Sequence, residues 1–485
     1  MKRKLLLVSV VVCGGYFVNV SAQGYLTDTR TSNAMQMRDP ARQASVEVDA
    51  AVVNPAGTAF MNDGLHLSAS GFASFQTIDT KTESGKYMSE TKETQWLPAV
   101  QLVYKKNRWA VSASFANEGG SGRRKTDHGS PWTNAFLENQ TYINSLLDEL
   151  SESFSACSTY LRILDALYEN KLGIDSRPED ELSVMSNDIK TTEYNRTIRA
   201  GVSYRMTDKL SFYLGAKANY VSIKGSTNLG IAVFRPSSGE YIGLQNYISL
   251  DKEAVSDMNF DDDSKQKIQE TITNLNQQAE ELGTVAENIG YTGYSVHGWG
   301  FAPVIGIDYK TGAFNFGAKY EFASHINSSS DCSASDFNIP ALLSLGGSWQ
   351  CSDKLKFALG GNMVFSEDKT WFGHQESSVA WDASASATYA INDKVSVSGG
   401  YILGSANFVA PEYIPIILET SEPLTHKLSF GAAWNILKNM QVNVGMSVSM
   451  PVHRINVSWA GDYEEKSSYR YKLMTQFALG VNYSF

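Results

Sequence analysis

Two lysines are the residues of this sequence best suited to bind a charged ligand. Lys217 and Lys319 each lie on the polar side of a segment in which apolar and polar residues alternate. If that side faces a ligand passage, each ammonium group can bind the carboxylate of an anionic ligand. The alternative is that the two lysines only hydrate a polar interior.

Catalytic chemistry is not indicated by any motif. The sequence contains no Gly-x-Ser-x-Gly, no His-Glu-x-x-His and no phosphate-binding glycine loop, and its seven histidines are scattered. The acidic run Asp261-Asp262-Asp263 could bind a cation, but a hard cation needs six or more oxygens in set positions, which favours a solvated loop. We therefore predict a protein that is not an enzyme and has no cofactor and no metal site.

Composition favours one large β structure. The chain has 485 residues, of which 42% are hydrophobic, and it contains 24 Tyr, 22 Phe, 9 Trp and 38 Gly. Aromatic residues and glycines are common in large β architectures. The formal net charge of −10 argues against nucleic acid as a partner, because nucleic acid binds a basic face.

The N-terminus has the features of a secretory signal peptide, which we place at residues 1–22. A basic start at 2–4 precedes an apolar stretch at 5–12, and small residues at 20–22 suit a cleavage site. Gln23 would then begin the mature chain.

Fourteen segments alternate apolar and polar residues with a period of two, the pattern of strands with one face in an apolar medium. They are 64–78, 95–104, 108–118, 194–205, 209–224, 296–309, 313–326, 339–350, 354–367, 378–390, 394–405, 423–436, 440–459 and 466–485. Strands of about 11 residues, with short turns alternating with long loops, favour a transmembrane barrel over a soluble β-sandwich. We predict an all-β fold, a 14-stranded antiparallel transmembrane β-barrel over 64–485 with both termini periplasmic. A parity reversal after Pro451 predicts a bulge.

Two long outer loops, 117–193 and 225–295, carry apolar residues at helical spacing. These residues are Ile143, Leu146, Leu147, Leu150, Phe154, Leu161, Leu164 and Tyr168 in the first loop, and Ile268, Ile272, Leu275, Ala279, Leu282, Val285 and Ile289 in the second. Such a stripe either packs on the barrel rim or forms an exposed groove for a hydrophobic ligand. The apolar segment 413–418 could join that groove.

A segment without strand periodicity, residues 23–63, precedes the first strand. It contains Asp49 and the run Asn54-Pro55-Ala56-Gly57, in which the proline removes a backbone donor and the glycine allows a tight reversal. The lumen of a fourteen-stranded barrel is too wide for its own side chains to fill, so we predict that this segment is a plug. An ordinary Asn-Pro turn is the alternative.

Asp49 and Asn54-Pro55-Ala56 resemble the N-terminal hatch of the FadL family, outer-membrane transporters of long-chain fatty acids and other hydrophobic compounds. The signal peptide, the strand count and the terminal Phe485 extend the resemblance over nearly the whole chain. It implies a hatch at 23–63 with Asp49, Asn54, Pro55, Ala56 and Gly57 as gating residues. It also implies sideways release beside a kinked third strand, where Gly119 and Gly120 are candidates and a flexible loop start is the alternative.

The function predicted from these features is outer-membrane transport of hydrophobic small molecules, with long-chain fatty acids as the expected cargo, by ligand-gated diffusion. A surface receptor or adhesin and a general porin are the alternatives. Expected partners are outer-membrane lipid and lipopolysaccharide, a hydrophobic ligand, and the barrel assembly machinery, which would recognise the strand ending at Phe485. We expect a monomer that binds no nucleic acid.

Overall fold

The protein is described here by a computed structural model. It covers residues 33–82, 87–126, 176–243, 294–328, 338–365, 369–371, 374–376, 379–405, 416–419, 424–451, 455–459, 466–471 and 473–485, with isolated positions inside 151–166 and 247–274. In these residues no helix has the length and hydropathy of a membrane span.

The chain forms a closed antiparallel β-barrel of fourteen wall strands, which confirms the predicted architecture. With all strands numbered in chain order, the wall consists of β1 (Gly64–Thr82), β2 (Tyr87–Lys106), β3 (Trp109–Thr126), β4 (Glu181–Arg205), β5 (Leu210–Arg235), β7 (Tyr294–Thr311), β8 (Phe314–Glu321), β10 (Ala341–Gln350), β11 (Leu355–Phe365), β14 (Val379–Ala390), β15 (Val395–Ser405), β17 (Leu424–Leu437), β18 (Met440–Pro451) and β21 (Met474–Ser484). Leu67 of β1 pairs with both Leu102 of β2 and Tyr483 of β21, which closes the barrel.

Short strands extend the wall or lie beside it. They are β6 (Glu240–Gly243), β9 (Asn327–Ser328), β12 (Lys369–Trp371), β13 (His374–Glu376), β16 (Ile416–Glu419), β19 (Ile455–Trp459) and β20 (Lys466–Tyr471). The predicted thirteenth strand is thus divided, since β18 ends at Pro451 and β19 begins at Ile455. The division falls where the parity reversal predicted a bulge.

The outward face of the wall is apolar. Phe301, Leu214 and Leu359 are each about two-thirds exposed or more on this face. Near the short turns the rings of Trp109 and Tyr204 lie 4.4 Å apart. An apolar band bordered by aromatic rings is the lipid-facing surface of a transmembrane barrel.

Several strands are longer than the sequence predicted. Residues 117–126, 181–193 and 225–235, assigned to outer loops from the sequence, are strand in β3, β4 and β5. The extensions 117–126 and 181–193 are rich in Lys, Arg, Ser and Thr. A strand that rises beyond the membrane needs no apolar outward face, so its period of two is not visible in the sequence.

The predicted loop helices lie partly outside the described residues. Phe154 is helical and buried, and residues 262–267 are helical in the second loop. Of the apolar stripe residues predicted in the two loops, only Phe154 falls among the described positions.

Residues 33–63, named the luminal segment below, lie inside the barrel. They form α1 (Ala34–Arg38), α2 (Ala50–Val53) and a 3₁₀ helix (Pro55–Phe60). Arg38 Nε donates to Asn443 Oδ1 of β18 at 3.0 Å, and Asn54 Nδ2 donates to the Ile307 carbonyl oxygen of β7 at 3.0 Å. The segment therefore contacts walls on opposite sides of the lumen. Residues 23–32 of the predicted hatch lie outside the described part of the chain.

A series of wall glycines, named the glycine belt below, lets the luminal segment approach the wall closely. A Cβ atom at Gly445 would lie 2.7 Å from Met37 Cβ and 2.8 Å from the Arg38 backbone nitrogen. The other members are Gly306, Gly317, Gly346, Gly360, Gly400, Gly431 and Gly480. From β21 round to β7 they meet the segment in chain order, from Ala34 to Asn54. Side chains at these positions would hold the segment off the wall.

Candidate functional site

Arg42 organises the luminal segment from within. Its Nη1 lies 3.2 Å from Asp39 Oδ2, its Nη2 lies 2.9 Å from Glu47 Oε2 and 2.9 Å from Asp49 Oδ1, and its Nε also donates to Asp49. The Ser45 hydroxyl adds a hydrogen bond to Asp49 Oδ1 at 2.7 Å. Arg42 and Asp49 are buried. Because a buried cation surrounded by carboxylates is costly to unpair, this network holds the segment in one shape. The sequence pointed to Asp49 but not to Arg42.

The predicted run 54–57 anchors the segment to the wall. The Pro55 carbonyl oxygen accepts from Ser203 Oγ at 2.6 Å, and the Ala56 carbonyl oxygen accepts from Ser211 Oγ at 2.7 Å. Gly57 is required for close packing, because a Cβ atom there would lie 2.1 Å from the Ser45 carbonyl oxygen. Asn54 is extended and caps the 3₁₀ helix that begins at Pro55.

The predicted ligand-binding lysines meet in one group, named the luminal charge cluster: Glu118, Arg199, Lys217, Lys319 and Glu321. Arg199 binds both oxygens of Glu118 at 3.0 Å and Glu321 Oε1 at 2.9 Å. Lys217 Nζ lies 3.0 Å from Glu321 Oε2, and Lys319 Nζ lies 2.5 Å from Glu321 Oε1. All five residues are buried. Three cations face two carboxylates, so the cluster carries an excess of one positive charge.

Arg199, Glu118 and Glu321 were not singled out from the sequence. Glu321 lies two positions after Lys319 and so shares its face of β8, which is a signal that parity alone could have supplied. Glu118 carried no such signal, because it lies where the register of β3 shifts.

The luminal charge cluster is joined to the luminal segment. Lys319 Nζ donates to the Val52 carbonyl oxygen at 2.8 Å. The neighbouring Asn54 side chain also donates to Asp308 Oδ2 at 3.2 Å. A substitution of Lys319 would therefore remove a hydrogen bond to the backbone just before the run 54–57.

A cavity of about 90 Å³, named the luminal chamber, lies between the segment and the wall. Its lining includes Pro40, Gln43, Lys319, Ser344, Asn362, Asp382, Ser384 and Lys427. Asn362 Nδ2 donates to Asp382 Oδ1 at 2.8 Å and accepts from Ser344 Oγ through Oδ1 at 2.7 Å. The volume suits a few waters or a small polar group, whereas ligand pockets are several times larger. In this conformation a long acyl chain does not fit.

The β2–β3 ladder is interrupted in the middle of the wall. Glu93 pairs with Arg123, but the next registered pair is Val100 with Phe115. The predicted residues Gly119 and Gly120 lie in the interrupted part of β3. Gly122, in the same glycine-rich run, ends it with φ at +73°, and a Cβ atom there would lie 2.8 Å from the Glu93 carbonyl oxygen.

Apolar side chains line the inner side of this interruption. Phe72, Leu97 and Ala478 of the wall are buried together with Ala34 and Met37 of the luminal segment. Leu97 itself belongs to the interrupted stretch of β2. The first helix of the segment therefore covers the interruption with apolar surface.

At the end of β5, beyond the membrane, a further buried ion pair joins the regions predicted as the two long loops. Arg235 Nε lies 2.9 Å from Asp180 Oδ1, and the Tyr247 hydroxyl donates to Asp180 Oδ2 at 2.9 Å. Burial raises the pKa of Asp180, but the hydrogen bonds from Arg235, from the Arg177 N–H and from Tyr247 lower the pKa overall. Burial raises the pKa of Tyr247 to about 12. The group is named the outer junction; the Tyr247 ring also packs on Phe154 at 5.2 Å.

No protein-family model and no curated protein sequence matches the chain. Solved structures do share its fold. A FadL homologue from Pseudomonas aeruginosa superimposes with a TM-score of 0.55 at 14% identity, covering 95% of this chain and 100% of the other. The Pseudomonas putida toluene transporter TodX gives a TM-score of 0.51 at 15% identity, covering 94% and 98%. The chain has the FadL-type barrel fold. The resemblance predicted from the sequence is confirmed at the level of the fold.

Proposed function

We propose that this protein resides in the bacterial outer membrane and passes hydrophobic small molecules inward by passive diffusion, with long-chain fatty acids as its cargo. The observation that carries the proposal is the luminal charge cluster, placed against the luminal segment inside a barrel of this fold. Its excess positive charge favours a ligand with a carboxylate over a neutral hydrocarbon such as toluene. TodX, of similar fold, is a toluene transporter.

The luminal segment serves as the hatch. A ligand carboxylate that binds Lys319 competes with the Val52 carbonyl oxygen and with Glu321 for the same ammonium group. The loss of that contact weakens the hold of the wall on the segment next to Asn54. Entry of the ligand and release of the hatch are then coupled through one side chain.

Release of the acyl chain follows the interruption between β2 and β3. Phe72 and Leu97 offer apolar surface there, whereas most of the residues that line the luminal chamber are polar or charged. Gly119, Gly120 and Gly122 lie in or at the end of the interrupted part of β3, where glycine permits the bent backbone. A sideways exit delivers a hydrophobic molecule to the lipid rather than to water.

The membrane partners follow from the barrel exterior. Outer-membrane lipid and lipopolysaccharide would contact its apolar outward face. The terminal Phe485 is 71% exposed, and its backbone N–H donates to the Leu65 carbonyl oxygen at the seam of the barrel. That position suits recognition of the last strand by the barrel assembly machinery. We propose that the barrel acts as a monomer.

The test is uptake of labelled oleate by cells that lack their own fatty acid transporter. Cells with the wild-type protein should show saturable uptake, and Asn54→Ala or Pro55→Leu should reduce it while the barrel stays folded. Asn392→Ala, in an exposed turn, is the matched control. Wild-type uptake in Asn54→Ala would contradict the hatch role. No uptake with a folded, surface-exposed barrel would contradict fatty acids as the cargo and favour a receptor or adhesin.

A further inference from the structure

The luminal chamber is more extensive than the binding of a carboxylate requires. Starting from Lys319 on β8, its lining continues in register to Ser344, then Asn362, then Asp382. At about 4.8 Å between strands, these three steps cover roughly 14 Å of wall. A carboxylate bound at Lys319 would occupy only one end of this polar surface.

Two buried polar atoms of the chamber lining have no hydrogen-bond partner among the described residues. They are Gln43 Oε1 and Ser384 Oγ, in residues that are 8% and 6% exposed. Ser384 is the register partner of Gly360, and a Cβ atom at Gly360 would lie 1.8 Å from Gln43 Oε1. The two atoms therefore belong to the same part of the chamber.

The chemistry of these atoms restricts what they can bind. An amide oxygen only accepts hydrogen bonds, and a hydroxyl both donates and accepts. The nearby Asp382 carboxylate also only accepts when it is ionised. A group that satisfies this set must carry an O–H or N–H donor, which an ionised fatty acid headgroup lacks.

We propose that the luminal chamber is a second subsite, specific for a hydroxyl group, and that the preferred ligands are hydroxylated fatty acids. The carboxylate binds at Lys319, and a hydroxyl in the middle of the acyl chain, about 14 Å from the carboxylate in an extended chain, donates to Gln43 Oε1 and bonds to Ser384 Oγ. The inference rests on the proposed transport of fatty acids and specifies which of them bind best.

The test compares 12-hydroxyoctadecanoate with octadecanoate, which differ only in the hydroxyl. Binding to the purified full-length barrel is measured by calorimetry in a detergent without hydroxyl groups. The hydroxylated acid should bind about fivefold more tightly, as expected for one or two net hydrogen bonds. In Ser384→Ala the preference should disappear, while the affinity for octadecanoate stays unchanged.

Ser449→Ala is the matched control, because Ser449 Oγ is also buried without a partner among the described residues but does not line the chamber. This variant should keep the preference. Gln43→Met, which keeps the length of the side chain without its acceptor, should lose it. Equal binding of the two acids by the wild type would overturn the hydroxyl subsite and leave fatty acid transport intact. If neither acid binds, both proposals are wrong.

Discussion

Lys319 and Val52 connect the barrel wall to the luminal segment. The ammonium group of Lys319 lies 2.8 Å from the Val52 carbonyl oxygen, and the same nitrogen lies 2.5 Å from Glu321 Oε1. One side chain thus belongs both to the luminal charge cluster and to the surface that holds the segment. Displacing it changes the environment of both at once.

Removing this ammonium group should release the segment and weaken binding. We expect Lys319→Met to raise the basal conductance of the barrel in planar bilayers and to lower the affinity for oleate about tenfold, the effect of one charge-assisted hydrogen bond. Lys310→Met, on an exposed part of β7, should change neither quantity. Unchanged conductance and affinity in Lys319→Met would contradict the coupling.

The glycine belt predicts that one methyl group can loosen the segment. In Gly445→Ala the new Cβ atom would overlap Met37, and overpacking of this kind costs about 1–3 kcal/mol. Hydrogen exchange of residues 33–63 should therefore speed up while the wall strands stay protected. In Gly399→Ala the nearest heavy atom is 3.8 Å away, so exchange should match the wild type. Equal protection of residues 33–63 in Gly445→Ala and Gly399→Ala would show that the segment tolerates a side chain at this position of the belt.

Gly122 should matter for exit rather than for binding. In Gly122→Ala a side chain is placed at a φ of +73° and its Cβ meets Glu93 and Thr94, so the strands beside the interruption must shift. We expect several-fold slower uptake of oleate with unchanged affinity. Gly312→Ala has a similar φ of +56° but open space around the Cβ, and should transport normally. A fall in affinity that matches the fall in uptake would argue against an exit role.

The Arg42 network should set the stability of the segment. In Arg42→Met, Asp39 and Asp49 remain buried without their cation, which typically costs about 3–5 kcal/mol. Hydrogen exchange of residues 33–63 measures the loss, and adding Asp49→Asn should recover part of it because one buried charge is removed. Arg108→Met, at an exposed arginine, should have no effect. An unchanged exchange rate of residues 33–63 in Arg42→Met would contradict the stabilising role of the Arg42 network.

The outer junction should be stable only within a pH window. The pKa of Asp180 is lowered in the fold, so its contribution is present above its ordinary value of about 3.9 and is lost as the pH falls through the folded pKa. The pKa of Tyr247 is raised to about 12, so its contribution is present below about pH 10 and is lost as the pH rises through 12.

Spin labels attached at Glu179→Cys and Ser238→Cys measure the distance across the outer junction as the pH changes. We expect a narrow distance distribution near pH 7 that broadens as the pH falls through the lowered pKa of Asp180. Adding Asp180→Asn should broaden it already at pH 7, because Arg235 then loses its carboxylate. The matched control Asp261→Asn, at an exposed carboxylate, should leave it narrow. A distribution in Asp180→Asn that is as narrow as that of the wild type at pH 7 would contradict the role of Asp180.

The wall was predictable from the sequence because the membrane imposes a period of two on each strand. Phe212 and Leu214 face outward and Lys217 faces inward, as their parity indicates. This period is lost where strands extend beyond the membrane. In the extensions of β3 to β5 both faces meet water or protein, so apolar and polar residues no longer alternate in the sequence.

Contacts between strands could not be predicted in the same way. Parity puts Arg199 and Glu321 on the inner face, but their contact depends on the stagger of β4, β5, β7 and β8, which no local pattern encodes. The approach of Gln43 to Gly360 likewise joins residues far apart in the chain. For this reason the sequence identified single lysines, whereas the structure shows a cluster.

The order in which the glycine belt meets the luminal segment has a consequence for biogenesis. Arg38 is among the first residues of the described chain, and it binds Asn443, which lies 405 positions later. Four of the eight glycines of the belt lie on β15, β17, β18 and β21, so these contacts cannot form until the last strands have reached the membrane. Contacts this distant in sequence form late in folding. The luminal segment should then bind the wall in the same final step of assembly in which β1 pairs with β21. A barrel trapped before that step would be an open pore.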